Sequence, residues 1–468
     1  MADEKKDIPV LEPRRSSDAV GDVEEIVLDS RDDFEVFKKG GAGVDFRLVS
    51  WPRASVIFLK VIFATGVLSI PGAMYGLGAV GGSLSVIGWG ALNTYTAILQ
   101  GNFRNRHAHC HSIADMAGAA GGGVIGREIV GFMFIAAYVL CSGSGILGVS
   151  IALNALSSHA ACTVWWSFIA TIVIIATASV RKFQKIGTWA GFISIYVAVF
   201  IVVIGVTTHK RPALAPQTGD FDLGYHAIAY PTFAVGMVAS STIFVSSAGT
   251  SAFLPVISEM KNPLDYNKAV YTCMAIVQAS YLTFSLVVYK WCGKWVANPS
   301  LGSAGETVKK VTFGIGLIGL IVSACLYLHV GAKYVFVRIL RDSKHLQQNT
   351  KVHWITWISC TTILGALAFI LAEAIPIFNF IIALVGSFCF APLAISLPGW
   401  LWLYDHMDYW KGGIVKKIQF LFHWFLIVLG AFFLVGGTYG VINQIIAAYA
   451  SGEIGGAFSC ADNSKTTA

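Results

Sequence analysis

The stretch Ala64-Thr65-Gly66-Val67-Leu68-Ser69-Ile70-Pro71-Gly72 lies inside a long apolar run and is poor material for an uninterrupted helix. Glycine weakens helical preference, and proline removes a backbone donor while its ring collides with the preceding turn. In lipid, such an interruption is tolerated only where protein or a water-filled cavity takes over the freed backbone groups. A second stretch has the same character: Val245-Ser246-Ser247-Ala248-Gly249-Thr250-Ser251, with Pro255 following.

Outward from these two stretches, the chain reads as a series of apolar runs. They fall at about 51–76, 80–100, 128–153, 163–180, 184–208, 228–258, 267–290, 311–338, 352–372, 375–404 and 416–450. Crossing a hydrocarbon core of about 30 Å takes roughly 20 helical residues, and these runs are long enough. Strands of a barrel would alternate polar and apolar over about ten residues, and the runs do not. Charged residues make up 13% of the 468, about half of what a soluble domain carries, and mean hydropathy is +0.67. The expected class is therefore an all-α membrane protein of eleven spans. A polar tail over 1–50, expected to be disordered, precedes a transmembrane domain over 51–450, and a second tail covers 451–468.

The interrupted runs are the first and the sixth. If each opens a group of five spans, the odd number makes the second group enter the membrane from the opposite side. Paired broken helices in an inverted repeat point to a transporter binding site at the midplane. The competing explanation is that small residues merely allow close packing between helices.

Basic residues set the orientation. With the N-terminus placed in the cytoplasm, inside segments hold 24 Lys and Arg and outside segments 7; Lys60 and Lys333, within spans, complete the 33. The positive-inside rule then predicts a cytoplasmic N-terminus and an outside C-terminus. Cys162, Cys292 and Cys460 would all face outside, so one disulfide is possible, its pairing open.

Other classes find little support. The net charge of +7 sits in short loops beside apolar runs rather than in a basic stripe with interleaved aromatics, so nucleic acid is not an expected partner. His107-Ala108-His109-Cys110-His111 has no second ligand cluster, and no metal is expected there. Gly121-Gly122-Gly123 lacks the Lys-Ser pair of a phosphate loop and reads as a flexible link. Neither HExxH nor GxSxG occurs, so catalysis is not expected and no cofactor is implied.

With these residues in view, the chain resembles the amino acid/auxin permease family, within the amino acid–polyamine–organocation superfamily, and above all the fungal neutral amino-acid permeases. The resemblance rests on Thr65-Gly66-Val67-Leu68-Ser69-Ile70-Pro71, on Leu254-Pro255-Val256-Ile257-Ser258-Glu259-Met260-Lys261-Asn262-Pro263, and on Ile375-Pro376-Ile377-Phe378-Asn379-Phe380 followed by Leu384-Val385-Gly386-Ser387. It covers about residues 50–450. It implies a five-plus-five inverted repeat of the leucine-transporter type with one helix appended, and secondary transport of amino acids. Sodium-coupled relatives carry an asparagine six residues before the first-span glycine. Here Lys60 stands in that place, which favours a proton over sodium as the coupling ion.

Candidate site residues follow. Free amides around Thr65, Gly66, Val67 and Leu68 are expected to hold a substrate carboxylate, because an unwound segment followed by a new helix offers unpaired donors. Carbonyls and hydroxyls at Ser246 and Ser247 would take the ammonium group. Phe244, Tyr138 and Phe388 are candidates to line the side-chain pocket, or else they only pack between helices. No acidic residue lies near either break, so neutral aliphatic or aromatic amino acids are the expected substrates. Ionisable residues within spans are functional hypotheses by default: Lys60, near hydroxyls such as Ser323 and Tyr327, and its rival His329. An amino-acid receptor with a transporter fold, a sodium-coupled transporter and a vacuolar location in place of the plasma membrane all stay open.

Overall fold

The computed structural model describes residues 49–63, 65–180, 183–209, 211–341, 343–346, 348–452 and 456–464. The N-terminal tail expected to be disordered lies outside the described residues up to position 48.

Among the described residues, eight helices are long and apolar enough to cross a membrane. A ninth crossing is the pair Phe378–Phe390 and Pro392–Asp405, bent by 41°, and the 17-residue helix Thr163–Ser179 supplies a tenth. Eleven is reached because Ile70–Arg106 holds two spans, the C-terminal half of span one and all of span two, joined at Gly78. Gly78 has φ +75°, and a Cβ there would meet the Ala229 amide nitrogen at 2.7 Å, so only glycine permits the turn. The amides of Ala79 and Val80, released by the turn, donate to the carbonyls of His226 and Ala227.

Spans one, two, six and seven pack as one group, and spans three, four, eight and nine as another; span five joins spans seven and eight. Span three, Gly123–Ser157, is the axis of the second group: every residue from 137 to 152 is buried. Its sequence there, Cys141-Ser142-Gly143-Ser144-Gly145, explains why. Where helix contacts gain nothing from excluding water, small residues let backbones approach.

Several expectations shift. Residues 118–122 form a wide π turn after the short helix Ile113–Ala117, and the Trp400 indole donates to the Ala120 carbonyl, so the glycine run is a built corner and not a flexible link. Span six starts at Phe233, behind an extended segment that contains Pro231. The open cysteine pairing resolves to Cys162–Cys460, while Cys292 is buried and free. Residues of the second tail are fastened down as well: Thr163 Oγ1 donates to the Ala461 carbonyl, and Asn154 Nδ2 to Asn463 Oδ1. At the other end of the molecule, Val49 pairs with the end of span six. Its amide donates to the Glu259 carbonyl, and the Lys261 amide donates to the Val49 carbonyl.

Candidate transport site

Span one stops at Ile62, continues as a tight turn over Thr65–Leu68, and resumes at Ile70. Span six stops at Val245, passes through Ser246–Ala248 and the turn Gly249–Phe253, and resumes at Leu254 for one short helix. Each break strands carbonyls that a continuous helix would use. The Gly66 carbonyl accepts from the Ser69 hydroxyl at 2.8 Å and from the Ser246 hydroxyl at 3.1 Å. The Tyr281 hydroxyl of span seven is shared between the Ile62 carbonyl at 2.9 Å and the Ser246 carbonyl at 3.2 Å. One buried phenol thus serves both broken helices. Nothing in the local sequence around Tyr281 marks it for this role.

A cavity of about 40 Å³ opens beside the breaks. Span one contributes Val61, Ile62, Thr65 and Gly66, and span six contributes Val245, Ser246 and Gly249. The facing wall is Tyr138, Cys141 and Ser144 of span three and Tyr327 of span eight, closed off by Ile382 and Phe390 of span ten. No lining residue carries a charge. The cavity is apolar with a few hydroxyls, as a small-molecule site requires.

Thr65, Gly66, Tyr138, Ser246 and Tyr327 are therefore brought together. Val67 and Leu68 are fully buried in the same turn but do not line the cavity. Ser247 turns away to span two, where its hydroxyl accepts from Asn93 Nδ2 at 2.8 Å. Phe244 packs edge-on against Trp89, 5.1 Å between ring centres, and belongs to the contact between spans two and six. Phe388 is 36% exposed on the outer surface of span ten, and Phe390 takes the place in the cavity given to it above. The reason is local: Val385–Phe390 and Pro392–Ser396 are π-helical, which adds residues to the turn and rotates the faces away from regular α spacing.

The ionisable candidates separate. Lys60 Nζ lies 3.5 Å from the ring centre of Trp189 in span five, not among the hydroxyls of span eight. Ser323 is buried one turn before Tyr327. His329 is buried on another side of span eight, its Nδ1 3.0 Å from the Ala178 carbonyl of span four and its ring edge-on to Trp357 of span nine. It does not line the cavity. Of the histidine run, His107 is paired with Asp405, 2.9 Å from its carboxylate.

The family described as transmembrane amino acid transporter protein matches residues 47–443. A protein of Gibberella moniliformis called "Transmembrane transporter" is 50% identical over 432 residues, covering 92% of this chain and 91% of that one. The "N amino acid transport system protein" of Neurospora crassa is 26% identical over 427 residues, 89% of each chain. Among solved structures, Mhp1, a nucleobase-cation-symport-1 family transporter in a closed conformation with bromovinylhydantoin bound, is similar at a TM-score of 0.51. It is 13% identical, with 90% of this chain and 97% of that chain covered. The fold is thus the five-plus-five inverted repeat of the leucine-transporter type, with an eleventh helix appended. The chain belongs to the transmembrane amino acid transporter protein family.

Proposed function

We propose that this protein carries neutral amino acids into the cell by proton symport, working by alternating access around the cavity between the two breaks. The observation that carries this reading is the meeting of Gly66 and Ser246 beside an uncharged cavity at the centre of the fold. An α-amino acid needs donors for its carboxylate and acceptors for its ammonium, and paired unwound segments supply both at the membrane midplane. The lining has no fixed charge to attract a lysine or glutamate side chain, which favours neutral substrates, aliphatic or aromatic.

A proton is favoured over sodium because Lys60, a titratable side chain with no oxygen to offer an ion, occupies the sequence position six residues before Gly66 where sodium-coupled relatives carry an asparagine. An ion gradient must supply the energy for uphill transport, since no phosphate loop is present in the sequence. The plasma membrane, with the N-terminus in the cytoplasm and the C-terminus outside, is the proposed location.

Uptake of radiolabelled leucine into proteoliposomes, with an imposed pH gradient and no sodium, tests the reading. Accumulation that collapses with the gradient is the expected result. Absence of any amino-acid uptake would favour a receptor that binds without cycling.

A further inference from the structure

A broken helix leaves carbonyls without their helical donors, and span two supplies a replacement at the break of span six. In a continuous helix the Phe244 carbonyl would accept from the amide of Ala248. That amide donates to the Val245 carbonyl instead, at 3.1 Å, and the amide of Ser247 reaches the Phe244 carbonyl at a long 3.4 Å. The Asn93 side chain makes up the loss. Its Nδ2 donates to the Phe244 carbonyl at 3.0 Å and to the Ser247 hydroxyl at 2.8 Å. One amide group thus bonds to the residues on either side of Val245 and Ser246, both of which line the cavity.

Asn93 is fully buried and does not line the cavity itself. The orientation of its amide follows from chemistry, since the oxygen, turned the other way, would face the carbonyl oxygen of Phe244. Among the described residues the amide oxygen has no partner. Burying an amide with an unpaired oxygen is costly, and a leucine of similar size would fill the space without that cost. What the asparagine adds is the amino group held against span six. One turn earlier on span two, the Trp89 indole donates to the Ser240 hydroxyl at 3.0 Å. Positions 89 and 93 of span two therefore grip positions 240, 244 and 247 of span six, spacings that keep each set on one helix face.

We infer that Asn93 is a positioning residue of the transport site: it fixes the point at which span six unwinds and so holds Val245 and Ser246 in place on the cavity wall. The inference rests on the transport reading and extends it to a residue outside the cavity. A wall held in its binding geometry before the substrate arrives spares the substrate the cost of ordering it. Loss of Asn93 should therefore show in affinity, and not only in the amount of folded protein.

Initial rates of radiolabelled leucine uptake into proteoliposomes, normalised to folded protein and measured over a range of leucine concentrations, test this. Asn93→Leu should raise KM by on the order of tenfold, within what a buried acceptor deprived of its donor can cost. Asn93→Gln keeps the amide on a longer stem, and its KM should fall between those of the wild type and Asn93→Leu. Ser247→Ala removes only the second acceptor and should change KM less than Asn93→Leu does. A purely structural role would lower the yield of folded protein and leave KM at the wild-type value in every variant, and that result overturns the positioning role while leaving transport intact. If Asn93→Leu does not fold, Asn93→Gln decides: a raised KM supports the role and a wild-type KM overturns it. Absence of uptake of any amino acid by the wild type would instead remove the transport reading, and this role with it.

Discussion

A Cβ built on Gly66 would lie 2.9 Å from the α-carbon of Ser246, closer than such contacts occur, so the two unwound segments meet backbone to backbone. Most tight glycine contacts can be relieved by swinging a flexible side chain. This one cannot, because the obstacle is main chain held by its own hydrogen bonds. The Ser246 hydroxyl donates to the Gly66 carbonyl, and the Ser246 carbonyl accepts from Tyr281.

Gly66→Ala is accordingly expected to cut the initial rate of uptake by about tenfold or more, as overpacking at a cost of roughly 1–3 kcal/mol implies. Gly66→Val should abolish uptake. Both should be measured beside surface expression, so that a misfolded protein is not counted as an inactive one. Transport by Gly66→Val with unchanged affinity would show that the segments do not approach during the cycle.

Tyr281→Phe keeps the ring against Phe63, 5.6 Å between ring centres, and removes only the hydroxyl. The Ile62 and Ser246 carbonyls then lose their shared donor in a buried site, a cost of about 1–3 kcal/mol. The variant should melt at a lower temperature in detergent and transport more slowly. An unchanged melting temperature would mean that other donors serve these carbonyls.

The contrast between Gly66 and Tyr281 shows what was legible in the sequence. A break has a chemical signature, because glycine and proline cannot continue a helix in lipid. Both breaks, the span order and the five-plus-five grouping could be read on that ground. Partners that satisfy a break come from anywhere in the fold, and Tyr281 is one of 16 tyrosines with no local mark. Phe388 fails for another reason: π turns leave no mark in the sequence, and those of span ten bring Phe390 rather than Phe388 to the cavity. His329 and Lys60 were candidates because charge is costly in lipid, but cost does not say which face of the helix a residue occupies.

The Cys162–Cys460 bond ties the second tail to the start of span four, with Thr163 and Asn154 adding hydrogen bonds beside it. Such bonds persist in oxidising compartments. On intact cells, a membrane-impermeant maleimide should label Cys460 only after mild external reduction, and Cys162→Ser should expose it without reductant. Cys460→Ser should also lower the melting temperature. Labelling that requires permeabilised cells would place the C-terminus inside and reverse the orientation.

In the loop before span six, the amide of Gly224 and then the Lys294 ammonium hold the Asp222 carboxyl below the usual carboxylate range. A carboxyl depressed in the folded state stabilises above its unfolded pKa, and that contribution is lost as pH falls through the folded one. The clasp should therefore hold at mild acidity and release only in stronger acid. Asp222→Asn should leave the pH profile of uptake unchanged between about pH 5 and 7. A shifted profile would assign this loop part of the acid response.

For the proposed proton coupling, the candidates are Lys60 and His329. Lys60 sits on the N-terminal half-helix of span one, two residues before Ile62, whose carbonyl belongs to the break. Its ammonium rests on the face of Trp189, a contact that holds a cation without neutralising it and so can yield when the half-helix moves. His329 is wedged between spans four, eight and nine and does not line the cavity. A group that couples a proton to substrate movement should touch an element that moves, and of the two only Lys60 lies on a broken helix. Uptake driven by a pH gradient without sodium should thus survive in His329→Gln and be lost in Lys60→Met. Lys60→Arg, charged at every working pH, should bind substrate yet fail to concentrate it. Coupling retained in Lys60→Met but lost in His329→Gln would reverse the assignment. Wild-type uptake that needs sodium and ignores pH would defeat proton coupling altogether.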